Sequence, residues 1–261
     1  MSMSNLFYGP QDGLTRGASP TMLAVGDSWF WYPFNNLLGE IARRRPQQSI
    51  VVAGYNGAEA GEWNTKFAES IKVTFEFFAR GPLVRVLLLS GGGNDIVGTQ
   101  NFPRLLKANC SACNQLADCY AAGQPDAALA GIEGHYGTLI ARFRGYNPGS
   151  VVVLHNYDKA WPTGDGVFGP ADWLKAPTDG CQVPQELRAD LFADPVDRLG
   201  LLQERMAGDP GLGCVLAVKT AGTLDGKGWA NELHPTSRGF KRLVEQKFLP
   251  TLDGIDLGPP H

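Results

Sequence analysis

No stretch of the 261-residue sequence is long and apolar enough to span a bilayer. Charge of neither sign dominates: 23 Lys and Arg face 26 Asp and Glu, for a net charge of -3. That balance favours neither nucleic acid nor an anionic membrane surface as a partner. The one basic run, Arg43-Arg44-Arg45, falls at the predicted end of a helix, where it complements the dipole. Histidine is scarce, with His135, His155, His234 and His261 only, so a general base has few candidates. Cysteine is sparse and odd in number: Cys110, Cys113, Cys119, Cys181 and Cys214. At least one thiol is therefore unpaired within the chain. Cys214 lies in an apolar run and reads as a small buried hydrophobe. There is no internal repeat and no low-complexity linker, so one domain over 1–261 is expected. The polar segment Met1 to Arg16 has no apolar core of a secretory signal. The cellular address stays open, with the cytoplasm as default, and so does the oligomeric state.

What is present is a hydrophobic fraction of 43%, enough for a large core. Five short apolar runs read as buried parallel strands: Met22–Val25, Ile50–Ala53, Val84–Leu89, Val151–His155 and Cys214–Val218. Helical spacing lies between and after them, in Asn35–Arg44, Trp63–Phe78, Ala128–Arg144, Gln185–Met206 and Thr236–Phe248. The alternation predicts a three-layer α/β/α sandwich with a mainly parallel, five-stranded, flavodoxin-like sheet. Two connections, at about 96–124 and 158–184, are too long for plain turns. Both follow strand ends, where open α/β sheets bind ligands, and read as rims or lids.

The strand ends carry the polar chemistry. Gly26-Asp27-Ser28 closes the first run. It can lift the Ser28 hydroxyl above the sheet edge, although Ser28 could equally cap a helix. The second run ends in Asn56-Gly57-Ala58-Glu59-Ala60-Gly61, whose glycines allow close backbone approach or merely a tight turn. The third ends in Gly91-Gly92-Gly93-Asn94-Asp95. It lacks the Lys-Ser/Thr of a phosphate loop, but an asparagine held by glycines can donate to a developing oxyanion. Near the C-terminus, His234 follows Asn231 by three residues and precedes a Pro-Thr step. His155 ends a strand and could border a site, whereas His135 falls inside a helix and His261 is terminal.

These four blocks, in this order, resemble the SGNH (GDSL-like) hydrolases, a family with GDS, a glycine block, GxND and DxxHP at the corresponding strand ends. Tyr157-Asp158 through Trp161-Pro162 and Arg238-Gly239-Phe240 are also similar to the family. The resemblance spans Leu23 to about Val244, outside the two long loops. It implies a serine hydrolase that cleaves carboxylic esters through an acyl-enzyme without a cofactor. Ser28 would be nucleophile and His234 its base, with an oxyanion hole of Ser28 N–H, Gly61 N–H and the Asn94 amide. Gly57 is the alternative glycine. Substrates would be a short acyl ester, a lipid or an acetylated carbohydrate.

One position departs from the pattern: the usual triad aspartate is Asn231. Its amide oxygen can orient His234 but carries no charge. Glu232, Asp225 or a backbone carbonyl are the other candidates, and a catalytically weak or inactive binding protein of the same fold is the competing reading. Trp29, Trp31 and Trp161 are candidate substrate contacts, with packing under the first helix as the alternative for Trp29 and Trp31. Trp173 shares the second long loop with Trp161. Cys110-x-x-Cys113 with Cys119 has no histidine nearby, so a loop disulfide or free thiols are expected there, and no metal.

Overall fold

The computed structural model describes residues 5–80, 83–97, 100–171 and 173–257. His261 lies outside them, as do 98, 99 and 172 of the two long loops. Six parallel strands form one sheet: β1 (Leu6–Tyr8), β2 (Met22–Gly26), β3 (Ile50–Gly54), β4 (Val86–Ser90), β5 (Val151–His155) and β6 (Val215–Val218), in the order β1-β3-β2-β4-β5-β6. Without β1, that order is the 2-1-3-4-5 of flavodoxin-like sheets. The expected five strands are all present, and the sixth is an addition. β1 is three residues at the edge, paired on one side only, and too short to stand out from the polar segment around it.

The sheet is covered on both faces. The helix Leu37–Arg44 packs with the C-terminal series Ser237–Leu243, Val244–Phe248 and Leu249–Asp253 on one side. Asn36 caps the first of these through a bond from Gly39 N to Oδ1 (2.7 Å). The basic run does end that helix, and it also reaches across the layer, where Arg44 pairs with Glu245 at 2.9 Å. On the other side lie Ala68–Thr74, Asp126–Arg144 and Gln185–Ala207. Burial on both faces explains why β2 and β4 are apolar at successive positions instead of alternating. Cys214 is a correction: it precedes β6 and is exposed, so it is not a core residue. Among the described residues, no helix is long and apolar enough to cross a membrane.

The long loops are only partly irregular. The first carries the short helices Phe102–Leu105 and Leu116–Cys119, closed by a bridge between Leu106 and Tyr120. The second carries Lys175–Gly180. Two buried carboxylates pin the second loop by accepting backbone N–H groups. Asp158 takes Gly222 N (2.5 Å), Thr223 N (2.9 Å) and Leu224 N (2.6 Å). Glu232, fully buried, takes Gly164 N (2.8 Å), Leu174 N (3.0 Å) and Lys175 N (3.0 Å).

Candidate active site

The chain changes direction in the sheet between β2 and β4, and their carboxyl ends lie side by side, with Gly26 in register with Ser90. Asp27 follows β2 and caps the helix Ser28–Trp31, its Oδ1 accepting Trp29 N at 3.0 Å. Ser28 is thus the first residue of the helix and not its cap, so its hydroxyl is free of that duty. The side chain is half-buried.

Asp27 is the hub of a buried network. It accepts the Tyr157 hydroxyl at 2.5 Å, the Ser90 hydroxyl at 2.8 Å and, at a longer 3.4 Å, the Asn94 amide. Burial pushes its carboxyl up to about 6, against these bonds, which lower it. Asn94 opens the short helix Gly93–Ile96, and its amide also donates to the Ala58 carbonyl at 3.1 Å. The glycines before it have distinct reasons. Gly92 sits at φ +85°, a left-handed conformation, and a Cβ on Gly93 would lie 2.7 Å from the Tyr157 ring.

His234 lies in a turn closed by the Trp229–Pro235 bridge, just before Thr236 caps the last helix series. Its Nδ1 is 3.0 Å from Asn231 Oδ1, which also accepts Leu233 N (3.0 Å) and His234 N (2.8 Å). The ring stacks on Tyr32 at 4.2 Å and 5°, and the Tyr32 hydroxyl receives the Asn231 amide at 3.3 Å. Nε2 is buried without a hydrogen-bond partner. Burial pushes the imidazole down to about 4, so it is neutral at pH 7.

Two cavities meet at Ser28 and Asn94. One is a narrow apolar pocket of about 40 Å³, walled by Ile96, Val97, Tyr157, Phe192, Val196 and Leu199, with Trp29 and Trp229. The other is a wider cleft of about 370 Å³ lined by Tyr32, Asn56, Gly57, Val167, Phe168, Trp173 and His234.

The structure therefore brings together Ser28, Asn94, His234 and Asn231. It does not bring Gly61 to the cleft. Gly61 sits in the turn Ala60–Asn64, where a Cβ would meet His135 at 3.2 Å, and Gly57 lines the cleft instead. Trp29 walls the apolar pocket and donates its indole N–H to Leu233 O (3.1 Å). Trp31 packs on Tyr8, 5.0 Å away, and lines neither cavity. Trp161 is 53% exposed and lines neither. Asp225 pairs with Arg242 at the surface, and Glu232 holds the second loop, so neither contacts the His234 ring. His155 is fully buried beneath Trp29 and Phe30, outside both cavities. Sequence reasoning missed Asp27, Phe168 and Trp229. The position of Asp27 inside the GDS block was the available signal.

No family model and no curated protein matches the chain. Solved structures do. A lipase from a goat rumen metagenome is 14% identical at TM-score 0.55, covering 92% of this chain and 100% of its own. A phospholipase A1 from Streptomyces albidoflavus is 17% identical at TM-score 0.51, covering 90% of this chain and 99% of its own. An acetyl-xylooligosaccharide esterase from Geobacillus is 13% identical at TM-score 0.51, covering 92% of this chain and 96% of its own. The chain has the fold of these lipases and esterases.

Proposed function

We propose that the protein is an SGNH-type serine hydrolase that cleaves esters of short carboxylic acids. The observation that carries this is the convergence of Ser28, Asn94 and His234 on one cleft, with His234 neutral and its Nε2 unpartnered. Ser28 Oγ attacks the ester carbonyl carbon as His234 Nε2 takes its proton. The carbonyl oxygen becomes an oxyanion, which receives Ser28 N–H, the Gly57 backbone N–H and the Asn94 amide, the last in exchange for its long 3.4 Å bond to Asp27. On collapse, His234 hands the proton to the leaving alcohol, and water then resolves the acyl-enzyme by the same route in reverse. Asn231 fixes the ring by accepting Nδ1–H, which leaves Nε2 as the acceptor.

The cavities divide the substrate. The leaving alcohol must lie beside His234, which protonates it, and so occupies the wider aromatic cleft. The acyl group then enters the apolar pocket, which shares Ser28 in its wall. The smaller of the two cavities is the apolar one, which supports acetyl or propionyl groups over lipid chains.

The absence of a carboxylate at 231 favours a second reading, a binding protein without turnover. Incubation with a fluorophosphonate separates the two. Stoichiometric labelling of Ser28 supports the hydrolase, and an unreactive Ser28 in folded protein supports the binding protein.

A further inference from the structure

Outside the cleft, the two long loops meet at a group of cysteines. The Sγ atoms of Cys110, Cys113 and Cys119 all lie within 4.8 Å of one another. The loop's own hydrogen bonds make that convergence. Cys113 N donates to Cys110 O (2.9 Å), which turns the Cys-x-x-Cys segment back on itself. Lys107 N donates to Cys119 O (2.9 Å), which lays the far end of the loop beside its start. Cys110 and Cys119 are fully buried. Cys181, on the other loop, is tied to the trio through its backbone, Cys181 O accepting Cys110 N at 2.8 Å, and its Sγ lies outside the 4.8 Å group, so a side-chain rotation must bring it in. All four are free thiols.

We propose that Cys110, Cys113, Cys119 and Cys181 bind one zinc ion that staples the first long loop to the second. Zinc–thiolate bonds of about 2.3 Å set sulfurs in a tetrahedron about 3.8 Å apart, inside the 4.8 Å limit within which the trio lies. A disulfide is a poorer account of three thiols at one point. It would consume two and leave the third within reach to attack the bond by exchange. Sulfur is also the donor that suits zinc, and no charged side chain is needed to complete the set. Binding is acid–base chemistry without redox: four thiols each lose a proton, and Zn²⁺ accepts four sulfur lone pairs. Four thiolates leave no open position, so the ion is structural and not catalytic.

The staple lies in line with the cleft. Cys181 ends the helix Lys175–Gly180, and the start of that helix is held by Glu232. Trp173, which lines the cleft, lies one residue before Leu174, the first residue of this segment to be clamped by Glu232. Zinc at one end of the helix and Glu232 at the other would fix that wall of the cleft.

The test is metal analysis of the full-length protein expressed with zinc and purified under reducing conditions. One zinc per chain is expected, lost in Cys113→Ser and Cys181→Ser and kept in Cys214→Ser. Cobalt exchanged into the wild-type chain should give the near-ultraviolet thiolate charge transfer and strong visible bands of a tetrahedral sulfur site. That spectrum needs no variant to fold. Native maleimide labelling should stop at the exposed Cys214 and extend to the other four once a chelator is added. Absence of zinc from the reduced protein, an intact mass with the cysteines paired as disulfides, or full zinc in Cys181→Ser would each overturn the four-thiolate site. Zinc loss that leaves ester hydrolysis unchanged would overturn the hold on the cleft wall, and one bound zinc in a protein that hydrolyses no ester would uphold the site and count against the functional proposal alone.

Discussion

At the scale of single residues, one amide stands where a charge is usual. Asn231 Oδ1 accepts three N–H groups, from Leu233, His234 and the His234 ring, so it can hold the imidazole without being ionised. Without a carboxylate, burial alone governs the ring and pushes it down to about 4. The base is lost only when His234 is protonated. Activity should therefore be flat through neutral pH and fall on an acidic limb near pH 4. Asn231→Asp adds a negative charge beside the ring, which favours imidazolium, so the limb should move to higher pH. A pH–rate profile of both proteins checks this; an unmoved limb would assign it to another group. At the oxyanion position, Asn94→Ala should lower kcat by about 10²–10³ with little change in KM. A raised KM at constant kcat would make Asn94 a ground-state contact instead.

At the scale of elements, the strand ends were legible and the loops were not. Each of the five runs expected as strands is a strand, because buried parallel strands are marked by apolar runs that depend little on the rest of the chain. Ser28, Asn94, Asn231 and His234 were legible because each sits at a fixed offset from a strand end or a helix start. Gly61 against Gly57 could not be settled that way. The choice depends on how the segment after β3 folds over, and the turn Ala60–Asn64 carries Gly61 towards His135. The tryptophans could not be told apart for a related reason: an aromatic side chain suits a cavity wall and a packed layer equally, and only the contacts separate Trp29 from Trp31. Glu232, one of the sequence candidates to orient His234, instead clamps the second long loop. Glu232→Gln replaces one accepting oxygen by an NH₂ group and leaves a buried N–H such as that of Leu174 unsatisfied. A loss of about 1–3 kcal/mol in denaturant unfolding is expected. An unchanged midpoint would remove Glu232 from its clamping role.

At the scale of the whole molecule, the layered sheet places two cavities of unequal volume that share Ser28 in their walls. The narrow one predicts selectivity by acyl length. Across p-nitrophenyl esters, kcat/KM should be greatest for acetate or propionate and should fall by about tenfold or more once the chain outgrows the pocket, the cost of a clash of roughly 1.4 kcal/mol. Val196→Ala opens the wall of that pocket and should shift the optimum to a longer chain. A wild-type optimum at octanoate would put the acyl chain in the wider cleft and reverse the division of the substrate.

The central claim is a covalent intermediate on Ser28. It is tested most directly by rapid mixing with p-nitrophenyl acetate, quenching in acid and measuring intact mass with peptide mapping. The account predicts a burst of p-nitrophenol and the mass of one acetyl group located on Ser28. Ser28→Ala should show neither, with an unchanged circular dichroism spectrum, because the half-buried hydroxyl fills no core space. Steady hydrolysis by Ser28→Ala at the wild-type rate, or an acetyl group that maps to another residue, would contradict it.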